Sequence, residues 1–155
     1  MRHVLITAAF LLLMHSFGSA QTPPPKGTIY LFRRSYAPGN KPSVILDGTR
    51  IARMQSGSYF SIPVDPGTHR LQSSLNADAE MTDIEVSGGQ TVYIEMTFAD
   101  VPHQGGTFSH GQWLKTALFT ATPGSIARDR FPKLKPLDQK WAFDQRIEMT
   151  KPDFP

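Results

Sequence analysis

The chain has 155 residues, no cysteine and a formal net charge of +3. That length suits one domain with a real core. The missing cysteine excludes disulfides, thiolate chemistry, a lipid-bearing cysteine and Cys-based metal sites. The positive excess lies late: seven Lys/Arg face eight Asp/Glu between Lys26 and Asp100, but eight face five between Gly111 and Pro155.

Arg2 and His3 precede an apolar run, Val4–Leu13, and Gly18-Ser19-Ala20 offers small residues for cleavage before Gln21. This pattern predicts a secretory signal peptide over residues 1–20, because the apolar run is too short to span a bilayer. The expected location is periplasmic or secreted, with no transmembrane segment in the mature chain. Residues 21–26, with Pro23-Pro24-Pro25, read as an extended spacer.

The β-domain is expected over residues 27–122. In its first strand, Gly27–Tyr36, Ile29 and Leu31 share one face, Tyr30 and Phe32 the other. Two apolar faces predict a central strand covered on both sides, with Arg33 and Arg34 bringing it to the edge of the core. Val44–Leu46 and Ile51–Met54 flank Asp47-Gly48, the strongest short hairpin signal, and a type I′ turn needs φ > 0 at both residues. Such a turn pairs Leu46 with Thr49, Ile45 with Arg50 and Val44 with Ile51. Gln55–Ser58 turns the chain again. Phe60, Ile62 and Val64 then point one way, with Tyr59 and Ser61 opposed.

Asp65-Pro66-Gly67-Thr68 reads as a type II turn. Beyond it His69, Leu71 and Leu75 fall in phase, with Arg70, Gln72 and Ser74 facing water. Ile84 and Val86 alternate with Asp83 and Glu85, and Ser87–Gln90 turns. In the clearest strand Val92, Ile94, Met96 and Phe98 make one face, and Tyr93, Glu95 and Thr97 the other. Asp100–Gly111 reads as a loop rich in glycine and histidine. Gln112–Thr122 mixes signals, but its threonines and aromatics favour an eighth strand. The fold class is therefore all-β, an antiparallel sandwich of about 7–8 strands. Residues 123–155 are expected to hold a short helix, capped by Thr122 with Pro123 at its first position, and an irregular tail around Trp141-Ala142-Phe143.

The succession Tyr30-Leu31-Phe32-Arg33, Val44-Ile45-Leu46-Asp47-Gly48, Gly57-Ser58-Tyr59-Phe60 and Pro66-Gly67-Thr68-His69 resembles the domain of unknown function 2846. These are exported bacterial envelope proteins, many of them lipoproteins, and the rhythm is also similar to PEGA-type modules. The resemblance covers about Gly27 to Phe98 and is expected to extend to Phe131. It implies an immunoglobulin- or transthyretin-like sandwich and carries no catalytic residues.

None of the titratable groups falls into a recognised catalytic spacing. His69, in phase with Leu71, reads as a core histidine with its nitrogens satisfied by backbone, since catalysis needs convergent groups. His103 and His110 flank a Gly-Gly loop and read as solvated, because metal sites want more ligands on a firm scaffold. Asp83 and Glu85 fit an exposed alternating strand. The candidate binding surface combines Tyr59 with Arg128 and Arg130, from a basic run that suits an anionic surface or, read as charge alone, a solvated segment. The expected function is a non-catalytic exported module that binds or supports an envelope component. Its expected partner is an envelope protein, a glycan or an anionic surface, with no cofactor, no metal and no nucleic acid. The alternative is a small metal- or His-dependent hydrolase using His69, His103 or His110 with an acidic residue.

Overall fold

The structure, a computed structural model, describes residues 22–35, 41–75, 81–102 and 113–154. The expected signal peptide, His103, His110 and most of the Asp100–Gly111 loop lie outside the described residues. Two β-sheets pack face to face. The five-stranded sheet runs β8 (Trp113–Thr122), β7 (Thr91–Pro102), β1 (Gly27–Arg33), β4 (Ser58–Val64), β9 (Lys135–Pro136). The four-stranded sheet runs β3 (Thr49–Arg53), β2 (Ser43–Leu46), β5 (Gly67–Ser73), β6 (Thr82–Val86). Between them lie Ile29 and Leu31 of β1, Phe60 and Ile62 of β4, Ile94 and Met96 of β7, Val44 of β2 and Leu71 of β5, all buried.

β1 is central, as its two apolar faces require, but the sandwich is not wholly antiparallel. β1 runs parallel to β7, pairing Tyr30 with Tyr93 and Phe32 with Glu95, and β9 runs parallel to β4. Alternation tells which face a side chain takes and is silent on strand direction. The described residues hold nine strands, because the tail adds the two-residue β9. β7 also continues to Pro102, opposite Trp113, so the loop begins later than its composition suggests.

Asp47 (φ 49°) and Gly48 (φ 78°) both lie in the left-handed region, the signature of the type I′ turn. Leu46 pairs with Thr49 and Ile45 with Arg50, but Val44 then faces Ala52 rather than Ile51. This bulge turns two successive side chains inward, which is why both Ile51 and Ala52 are buried. Gly67 has positive φ, though at 143° it is more extended than the roughly 80° of a type II turn. β5 stops at Ser73, whose hydroxyl accepts from the Leu75 amide. Arg33 also departs from expectation. It is 3% exposed, donating to the Met54 carbonyl and lying 4.5 Å from the Phe98 ring centre.

Helix α1 (Gly124–Arg130) follows β8. Pro123 is its N-cap rather than its first residue, and no side chain caps it. The Thr122 hydroxyl donates back to the Thr120 carbonyl instead. Pro132 converts the helix into a 3-10 turn, Phe131–Lys133. Beyond it the tail stitches one side of the sandwich. Lys135 and Leu137 donate to the Gly57 and Tyr59 carbonyls beside β4, Phe143 and Asp144 to the Ile51 carbonyl of β3, and Glu148 exchanges main-chain bonds with Ser61. Leu137 and Ile147 are buried in the main core. Among the described residues, no helix is long and apolar enough to cross a membrane.

Candidate functional site

Polar and aromatic side chains gather in three places: the outer face of each sheet and the surroundings of His69. On the five-stranded sheet, strand register lays outward side chains in transverse rows. One row is Ser61, Tyr30, Tyr93, Thr122, and the next is Tyr59, Phe32, Glu95, Thr120. Phe131, fully buried beyond α1, sits over both rows, with ring centres 5.1 Å from Tyr59, 5.2 Å from Phe32, 5.8 Å from Tyr30 and 5.9 Å from Tyr93. Burial raises the phenol pKa of Tyr30, Tyr59 and Tyr93, the last opposed by the nearby charge of Arg128.

Tyr59 is therefore not a surface ring. It is 3% exposed beneath Phe131, because α1 and its 3-10 turn cover a sheet face that alternation alone leaves open. Arg128 is exposed on α1, but Arg130 turns back. Arg130 Nη1 pairs with Glu95 Oε2, and Arg34 Nε donates to Glu95 Oε1 at 2.5 Å. Glu95 is 5% exposed, and a buried carboxylate needs such cations. The three expected residues thus share one face without forming one open surface. Glu95, inside an alternating strand, carried no mark of its pairing.

His69 takes a defined role. Its Nδ1 lies 2.8 Å from Asp47 Oδ2, and its Nε2 lies 2.7 Å from the Asp65 carbonyl. Both partners are acceptors, so this geometry calls for a proton on each ring nitrogen, the imidazolium form. Burial works against that charge. The bonds to Asp47 and Asp65, and the charges of both carboxylates, outweigh it and raise the His69 pKa. For Asp47, burial acts upward, while the Arg70 amide, His69 and Arg146 bring the net shift below the usual carboxylate value. An imidazolium donating at both ends has no lone pair for a proton or a metal. It clamps the hairpin turn to the Pro-Gly turn. His69 is thus not the expected core histidine: it is only partly buried, at the turn end of β5, and one of its two partners is a side chain 22 positions away rather than backbone.

On the four-stranded sheet, Asp47, Gly48, Thr68, Arg70, Gln72, Met81 and Asp83 line an open cavity of about 520 Å³. Thr68, Arg70 and Gln72 project from alternate positions of β5, as a half-buried strand demands. Arg70 makes a two-point ion pair with Asp83 of β6, at 2.8 and 3.2 Å, and Thr68 donates to Glu85 at 2.9 Å. Asp83 and Glu85 are thus cross-strand partners rather than a carboxylate pair. Opposite signs on adjacent strands were the legible signal for this array. Among the described residues, no group of three or more His, Cys, Asp and Glu side chains is placed to hold a metal ion.

A family model described as a protein of unknown function (DUF2846) matches residues 24–111. The chain belongs to this family. The DUF2846 match takes in β1 to β7, and so the His69 clamp and the cavity. α1, Phe131, Arg128, Arg130 and the stitching tail lie beyond the DUF2846 match. Neither a curated protein nor a solved structure matches the chain.

Proposed function

We propose that the chain is an exported, non-catalytic binding module whose recognition surface is the outer face of the four-stranded sheet. The observation that carries this reading is the open cavity on β5 and β6, where Thr68, Arg70, Gln72 and Asp83 offer donors and acceptors on a firm strand pair. Side chains anchored on paired strands recognise a ligand with little ordering cost. Two lining carboxylates against one guanidinium disfavour an anionic surface. A hydroxyl-rich envelope glycan fits the mixed lining, since every ring hydroxyl both donates and accepts. The Val4–Leu13 run supports export, and the two facing sheets support an immunoglobulin- or transthyretin-like reading. The double engagement of His69 weighs against its use as a catalytic base.

The test is co-sedimentation of the purified chain with isolated cell-wall glycan. Wild type is expected in the pellet, and Thr68→Ala, Arg70→Ala, Gln72→Ala combined should reduce its retention at least about ten-fold while keeping a cooperative melting transition, lowered only by the loss of two exposed cross-strand ties. Failure of the wild-type chain to sediment, or equal retention of the variant, overturns the reading.

A further inference from the structure

The other sheet's outer face carries a second feature, independent of the cavity. Past Glu148 the chain leaves the edge of β4 and crosses the five-stranded sheet to reach β7. Pro152 is buried, and the half-buried Phe154 stacks on Tyr93 with ring centres 5.3 Å apart and planes at 23°. Phe154 also meets the Phe131 edge at 5.5 Å and 70°. Tyr30 completes the wall, stacked on Tyr93 at 5.6 Å.

We propose that this aromatic groove is a peptide-binding site for an extended Pro-x-aromatic segment of a partner protein, and that residues 151–154 occupy it in cis. The occupant defines the ligand chemistry. Proline brings no amide N–H to satisfy, and stacked rings select a flat apolar anchor two positions later. Aromatic-lined grooves that take proline-containing extended segments are a recurring recognition mode. The intervening position, Asp153, is exposed, so the site reads the proline and the ring and leaves the middle residue to solvent.

Two further observations separate an exchangeable ligand from core. Among the described residues, the last main-chain hydrogen bonds of the tail are those of Glu148 with Ser61, and 149–154 are held by side-chain packing. Such a segment opens locally at low cost and yields to mass action. The walls do not depend on it, because Phe131 is fixed by Phe32, Tyr59 and Tyr30.

The probe is the synthetic peptide Thr-Lys-Pro-Asp-Phe-Pro, the sequence of residues 150–155, titrated into the full chain by calorimetry. The Pro152→Ser, Phe154→Ala double variant should bind it at least ten-fold more tightly than wild type. Adding Tyr93→Ala to that variant should abolish the binding. A second measurement does not require the variant to fold: a fluorine label on Phe154 of the wild-type chain should move to its free-peptide shift as unlabelled peptide is added. Equal binding by wild type and double variant, no binding by a cooperatively folding double variant, or an unmoved fluorine signal overturns the proposal. So does concentration-dependent dimerisation that Phe154→Ala abolishes, which would make the trans occupant a second copy of this chain.

Discussion

Gly48 and His69 show how much a single residue can hold at one end of this sandwich. A Cβ added to Gly48 meets nothing within 4 Å, so Gly48→Val tests backbone strain alone at φ 78°. A β-branched residue there should cost at least about 1–2 kcal/mol and lower the melting temperature by several degrees. Gly48→Asn, which tolerates the left-handed region, should lose less; identical curves for both would contradict the turn geometry. The His69–Asp47 pair makes a pH prediction. The raised His69 pKa gives a contribution complete below about pH 6.5 that fades as pH climbs through the folded value. The depressed Asp47 pKa gives one present above about pH 3.9 and lost on acidification through its folded value. The melting-temperature gap between wild type and His69→Gln should therefore be widest near about pH 5–6 and narrow toward pH 9. A gap that widens on the alkaline side would refute the imidazolium clamp.

Among the elements, β7 and α1 are tied by the Glu95 cluster. Glu95→Gln removes the anion shared by Arg34 and Arg130 while keeping the volume. Because both guanidiniums are partly exposed, the loss should be roughly 1–3 kcal/mol in urea unfolding rather than the cost of a fully buried pair. Adding Arg130→Met should recover part of it, and strictly additive effects would mean that the two side chains do not act together. These ties also mark what the sequence could tell. Apolar alternation in Val92-Ile94-Met96 and the glycines at turns made most strands, their faces and the hairpin legible, since each is a local property. The parallel β1–β7 pairing and the cations around Glu95 were not legible, because each depends on a partner far along the chain, while the Ala52 bulge is local but inserts a residue that strict alternation does not foresee. Tyr59 was read as surface for the same reason: its cover, Phe131, lies 72 positions away.

For the whole molecule, the tail as far as Ile147 is part of the core. Leu137 and Ile147 fill the space between sheets that residues 27–122 do not close alone, and their main-chain neighbours cover the edges of β3 and β4. Losing two such side chains costs about 2–5 kcal/mol each, comparable with a total stability of about 5–15 kcal/mol. A chain ending at Leu134 should lose its cooperative urea transition, and retention of a sharp transition with an unchanged slope would show that the tail is dispensable. The placement of β1 carries one more consequence, in time rather than in space. The strand near the start has β4 and β7 as neighbours, and the last core residues arrive only at Leu137 and Ile147. Long loops must close before any of these pairings repays them, so folding is slow and late. Delivered from its N-terminal end, the chain cannot complete this core until Ile147 has emerged.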